Sequence, residues 1–361
     1  MSGSENRYYD IHVLGAYETS LSIMQQFFSN GDIEQEPQVS IPQAKSWILN
    51  TVGLCLMSLG RLATAVSFYE RKTKMQLEYE DWRNASIGYQ NLASLNVSLG
   101  RLADGAAAAN RALTLARRAE NKRGERQSLA YQGWIAHLRG ELAAAGDAFA
   151  QAEALEREID SSEQYLYAQH GVRHATHLWR VGQAALARRV TTTNLTICER
   201  NRWANQISWC RRLLGDLDGA AGDHASAADH YAAALQIARS ISYQAVLIEA
   251  LVARGRWAAQ YHADLAGWQS GIAQNLSGLD SSGLLPQAFS DLREALSYAV
   301  EGGYRLYEAD IRLGLAYAHR AADDPQAARQ EAQRARALSQ AMGYHWGLVE
   351  ADALLTHPGA V

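Results

Sequence analysis

Three histidines, His170, His174 and His177, stand at i, i+4 and i+7, which puts their imidazoles on one side of a helix. Imidazole is a preferred ligand for a divalent ion, but a site needs at least three convergent donors. No cysteine or carboxylate joins the trio at ligand spacing, and His174 adjoins the small Ala175 on what reads as a packed helix face. Packing is the stronger reading, with metal binding the lesser one, and no metal is assigned. Two acidic pairs, Asp216-Leu-Asp218 and Asp323-Asp324, read as turns with solvated carboxylates rather than as an acid/base couple. The chain contains no GxxxxGK[ST] phosphate loop, no GxGxxG, no GxSxG, no HExxH and no CxxC. No catalytic residue and no cofactor is therefore assigned, and the chain is read as a non-enzyme. A small-ligand or enzymatic site built from a few convergent polar groups is the least favoured alternative. Cys55, Cys198 and Cys210 are too few and too irregularly spaced for a disulfide framework, and read as buried small apolar residues.

The elements that must position any site are written in a repeat. Leu59-Gly60-Arg61-Leu62 returns as Leu99-Gly100-Arg101-Leu102 and then as Arg139-Gly140-Glu141-Leu142, a glycine spacing of 40 residues. Each glycine separates two apolar-periodic segments long enough for helices, and a period in this range belongs to stacked helical hairpins. Seven residues before the turn come Gly53, Ala93 and Gly133, and five after it come Ala65, Gly105 and Ala145. Small residues at these places let two antiparallel helices cross closely. Tyr69 and Phe149 follow four later, with Ala109 as the reduced version. A fourth turn lies at Val181-Gly182-Gln183, with Ala175 and Ala187 at the small positions. A fifth lies at Gly222-Asp223, with Gly215, Ala227 and Tyr231 in register.

This pattern resembles the tetratricopeptide repeat (TPR), in a form of roughly 40 residues per unit. The resemblance implies an all-α, right-handed superhelical solenoid of about seven to eight hairpins, in which the first helix of each pair, helix A, lines a concave face. By that register the groove positions are Asn50, Gln90, Ser94, Gln127, Tyr131, Trp134, Gln169, Arg173, Arg212 and Tyr317, a mixture of amides, hydroxyls, aromatics and arginine suited to a peptide. Seventeen Tyr and nine Trp against 5 Phe favour rings with a polar handle, as at interfaces. The family's clamp for a C-terminal carboxylate needs lysines as well as asparagine; Asn50 matches in kind and the lysines do not. Trp134 and Arg173 are the expected anchors for a protein or peptide partner.

Along the chain, residues 1–45 read as an N-terminal helix or partial repeat and a loop. Ile11, Leu14, Leu21, Met24 and Phe28 have helical spacing, and Gly15 followed by Ser20 copies the turn register. If Gly15 is a turn, its helix A is too short, and the natural N-terminus is expected further upstream; the alternative is a single capping helix. Residues 46–255 are TPR-like repeats. Arg254-Gly255-Arg256 is taken as a sixth turn, and 256–285 as an insertion or irregular segment, placed to act as a lid or a second contact. From 286 to 361 the repeat resumes. Gly303-Tyr304 and Gly343-Tyr344 are 40 apart, Glu308-Ala-Asp310 is echoed by Glu350-Ala-Asp352, Pro325 opens a helix, and Thr356 to Val361 is a frayed tail.

A formal net charge of −4, without a basic block interleaved with aromatics, argues against direct nucleic-acid binding. No apolar run approaches 18 residues and no leader-like segment is present, so the chain is expected to be soluble, off the membrane and cytoplasmic. As a whole it resembles the C-terminal sensor region of bacterial STAND-type signal-transduction NTPases. The residues that carry this are the Leu-Gly-Arg-Leu turns, Glu80-Asp81-Trp82-Arg83-Asn84-Ala85, Gly303 to Asp310, and Ala341-Met342-Gly343-Tyr344-His345. The resemblance implies a superhelical arm that captures a protein or peptide and relays occupancy to an effector. A freestanding scaffold that delivers a substrate to a partner enzyme is the alternative.

Overall fold

The computed structural model describes residues 16–269 and 283–356, with side chains described outside 265–269. Among the described residues the chain is all helical, with sixteen α-helices and one short 3-10 turn at Ser29–Gly31. A first helix, α1 (Tyr17–Gln25), buries Tyr17, Leu21 and Met24. Five regular hairpins follow: α2 (Pro42–Ser58) with α3 (Leu62–Glu78), α4 (Trp82–Ser98) with α5 (Leu102–Arg118), α6 (Lys122–Leu138) with α7 (Leu142–Ile159), α8 (Ala168–Arg180) with α9 (Ala184–Asn201), and α10 (Ala204–Ala220) with α11 (His224–Ser240). Two more pairs, α12 (Gln244–Gln269) with α13 (Leu284–Gly302) and α14 (Arg305–Ala321) with α15 (Pro325–Met342), precede α16 (His345–Thr356). This is the right-handed TPR-like solenoid expected from the repeat. No helix among the described residues is long and apolar enough to cross a membrane.

The turn glycines are required by backbone conformation. Gly60, Gly100, Gly140, Gly182 and Gly222 all have φ between +74° and +86°, the left-handed region in which a Cβ is unfavourable. The residue after each one donates its N–H five residues back, as Arg61 does to Leu56 O at 2.8 Å and Arg101 to Asn96 O at 2.7 Å. This closes the last carbonyls of helix A and turns the chain into helix B. At the following turns Asp81 and Asp223 cap α4 and α11 by accepting from Asn84 N and Ser226 N at 3.1 Å. Asp324 caps α15 in the same way, with Pro325 in its first turn.

Volume is exchanged across each helix crossing. A Cβ on Gly53 would lie 3.1 Å from the ring of Tyr69, and one on Gly133 would lie 3.1 Å from Phe149. Where helix B carries only Ala109, helix A carries Ala93, and all of these side chains are fully buried. Glycine faces a ring and alanine faces alanine, so the interhelical space is filled either way.

Gly255 corrects one expectation. It lies inside α12, not in a turn, and continues the helix A series Gly53, Ala93, Gly133, Ala175, Gly215 at the same spacing. A Cβ there would meet Leu292 Cγ of α13 at 2.8 Å. The glycine is a crossing residue. The expected insertion therefore begins within a helix that runs on to Gln269, and residues 270–282 of it lie outside the described residues, as do Ile11, Leu14, Gly15 and 357–361.

The superhelix closes on itself. Gly60 packs against Gln244, Gly100 against Met342 and Arg305, and Gly140 against His345. Tyr304 OH donates to Met57 O at 3.3 Å, and Trp346 Nε1 donates to His137 O at 2.9 Å. Asn205 reaches Tyr17 OH at 3.2 Å. The first three A–B turns thus form one edge of a seam, and the starts of α12, α14 and α16 form the other.

Candidate peptide-binding channel

Closure turns the concave face into an axial channel of about 680 Å³. Its wall is made mostly by the A helices α4, α6, α8, α10, α12, α14 and α16. Helix α8 presents Gln169, Arg173, Thr176 and Arg180, spaced i, i+4, i+7 and i+11, so one stripe of the helix faces the lumen. Trp134, Trp179, Trp209, Trp257 and Trp346 give the lumen an aromatic lining.

Most channel charges are paired within the wall. Arg212 Nη1 donates to Asp216 Oδ2 at 2.6 Å, and its Nε lies 3.8 Å from Glu249. Arg256 pairs with Glu350. Each of three phenols donates to a carboxylate: Tyr231 to Asp216 at 2.8 Å, Tyr307 to Glu249 at 2.7 Å, and Tyr344 to Asp310 at 3.0 Å. Burial first, and then the adjacent carboxylate, raises the pKa of these three tyrosines, so they remain donors. Burial pushes the Asp310 carboxyl up to about 6, against the pull of Arg256, Tyr344 and Arg180. Burial also works against the charge on Arg256, but Glu350 and Asp310 outweigh it and raise its pKa.

Of the residues expected on the groove, the channel brings together Trp134, Gln169, Arg173, Arg212 and Tyr317, with Ser94 beside them. Tyr131 lies behind this surface; its ring centroid is 4.9 Å from the Arg173 guanidinium, and Trp134 flanks the same group at 5.7 Å. Gln90 is not on the lumen: it is 4% exposed and donates to Gly124 O and Ser128 Oγ, tying α4 to α6. Gln127 is also outside the lining, and Asn50 accepts from Lys72 Nζ at 3.0 Å. A register locates a helix face but does not say which of its members reach across to the next repeat.

The acidic pair at 216–218 also differs from expectation. Both residues lie in α10, not in a turn. Asp216 lines the channel, and Asp218, 5% exposed, pairs with Arg188 at 2.6 Å. The histidines of α8 go to separate partners. His170 meets Tyr131 edge-on, His174 Nδ1 lies 3.1 Å from Glu153, and His177 Nδ1 lies 3.3 Å from His137 Nδ1. His137 itself is packed between Trp134 and Trp346 at centroid distances of 5.2 Å. Among the described residues no group of three His, Cys, Asp or Glu converges on a metal-sized site. The cysteines are buried and unbridged.

Several lining residues were not singled out from sequence: Arg180, Arg256, Asp310, Tyr344, Trp346 and Glu350. Asp310 and Glu350 were visible as an echo 40 residues apart, but only closure carries α14 and α16 to the far side of the lumen.

No protein-family model matches the chain, and no curated protein matches it. Solved structures do. A Rap protein complexed with Competence and Sporulation Factor superposes with a TM-score of 0.60 at 12% identity, over 93% of this chain and 96% of that one. The chain shares its fold with Rap proteins. The Rap conjugation gene regulator of plasmid pLS20, in complex with the Phr* peptide, gives 0.58 at 12% identity over 94% and 86%. The Cut9–Hcn1 assembly of the APC/C gives 0.51 at 11% identity, over 97% of this chain and 54% of that chain. At these identities the likeness is one of fold.

Proposed function

We propose that the protein is a peptide-binding module that takes a short peptide into the axial channel, and that its occupancy is read by a signalling or regulatory partner. The carrying observation is the channel itself, an enclosed lumen of about 680 Å³ that falls within the size range of specific ligand sites. Aromatic walls supply contact area, while Gln169, Thr176, Arg173 and Arg180 present donors along one stripe. Two solved structures of the same fold hold a signalling factor or peptide, which supports a peptide over a small metabolite. The finer reading is the sensor or partner-recruiting region of a bacterial regulatory protein of STAND type, with repeats over 46–255 and 286–361 forming the arm. A scaffold that delivers substrate to an enzyme is the alternative.

Selection of short peptides from a random display library on the purified protein tests the reading. The expected result is a family of peptides with dissociation constants in the micromolar range or better, lost in the Trp134→Ala plus Arg173→Ala variant while its circular dichroism is unchanged. These are residue types whose truncation at a buried interface centre often costs about 2 kcal/mol or more. Failure to enrich any sequence, or enrichment that survives the double variant, would overturn the channel as the site.

A further inference from the structure

Arg173 stands apart from every other charge in the lumen. Arg212 and Arg256 are matched to carboxylates, and Asp216, Glu249 and Asp310 each accept from a phenol. Arg173 is 9% exposed, its Nη1 has no hydrogen-bond partner, and no carboxylate among the described residues pairs with it. Its contacts are the faces of Tyr131 and Trp134, which attract a cation but accept no N–H in the guanidinium plane. A guanidinium taken out of water with an idle donor edge is costly unless an anion arrives. Since Arg173 lines the channel, the idle edge is available to whatever fills it.

We infer that Arg173 is the seat of a carboxylate carried by the bound peptide; this rests on the peptide-binding reading above. One carboxylate matches the planar donor fork of arginine. A multiply charged group such as a phosphate suits the lumen less well, because Asp216, Glu249, Asp310 and Glu350 line it and repel further negative charge. Gln169, one turn before Arg173 on the same stripe, supplies an amide beside the seat, and Arg180, two turns after, adds positive potential without an ion-pair partner of its own among the described residues. The carboxylate comes either from the peptide's C-terminus or from an Asp or Glu side chain, and both present the same two oxygens.

Three pools of random hexapeptides decide the matter, each incubated with the full chain and the retained peptides counted by mass spectrometry. The first has a free C-terminus and no Asp or Glu; the second is C-terminally amidated and contains Asp or Glu; the third is amidated and acid-free. The expected result is retention of one or both carboxylate-bearing pools about ten- to a hundredfold above the third, the fold-change that a hydrogen bond to a charged group supplies. The preferred pool names the source of the carboxylate. In Arg173→Gln the preference should vanish while some peptide is still held, and Arg173→Lys, which keeps the charge, should restore part of it. Equal retention of all three pools by the wild type overturns the carboxylate seat and leaves peptide binding standing. A preference that persists in folded Arg173→Gln also overturns it, and retention of no pool overturns both readings.

Discussion

Acid should weaken this fold through His137. The imidazole is 2% exposed, packed between Trp134 and Trp346 and beside His177. Burial first, then the nearby His177, Arg180 and His345, lowers its pKa to about 3 from an ordinary 6.5. The folded state therefore holds His137 neutral across a range in which the unfolded chain binds a proton. Its contribution to stability is complete above pH 6.5 and is lost progressively as pH falls toward 3. At pH 5 the free imidazole lies 1.5 units below its ordinary pKa, which at 1.36 kcal/mol per unit removes about 2 kcal/mol relative to pH 7. His177 and His170, both lowered chiefly by burial, act in the same direction. Asp310 opposes them: its raised pKa of about 6 means the folded state binds more protons between 3.8 and 6, so its contribution improves as pH falls. The contrast between wild type and His137→Phe isolates the term, since the phenyl ring keeps the aromatic packing and cannot titrate. Urea unfolding at pH 7 and pH 5 should show the wild type losing about 2 kcal/mol more than the variant. Identical pH dependence in the two proteins, or an NMR titration of His137 near 6.5, would refute the reasoning.

Gly53→Leu should destabilise by roughly 1 to 3 kcal/mol, because the space beyond Gly53 is already held by the fully buried Tyr69 ring. Ala145→Leu, also at a fully buried crossing, should cost a similar amount, and an unshifted melting curve for either variant would mean the crossing is looser than described. Trp346→Ala removes the hydrogen bond to His137 O together with the ring contacts to His137 and Arg180. The seam at Gly140 should then open more often, read as faster amide exchange in α16 and at residues 137–141 with unchanged protection in α2 and α4; uniform protection everywhere would show that the seam is not held there.

The repeat, the left-handed turns and the helix crossings were legible in the sequence because they are local. A glycine between two apolar-periodic segments, with small residues seven before and five after, fixes a hairpin without reference to distant parts of the chain. Gly53 with Tyr69, and Gly133 with Phe149, could be paired from spacing alone. Gly255 shows the limit of that logic: a glycine serves a turn or a helix crossing, and one strand of text does not distinguish them until the partner Leu292 is in place. Among candidate site residues, Trp134, Gln169, Arg173, Arg212 and Tyr317 were reachable from register, since each lies on the inner face of a helix A or close to it. Gln90 shares that kind of position and yet turns sideways to Gly124 and Ser128, a choice made by hydrogen-bond partners in the next repeat. The tertiary structure alone decided that the arm closes. Small rotations from repeat to repeat add up until Trp346 meets His137, 209 residues earlier, and only then do Asp310, Tyr344 and Glu350 face Arg173 and Arg180 across one lumen. No local signal encodes that sum, and it is what leaves Arg173 buried without an anion.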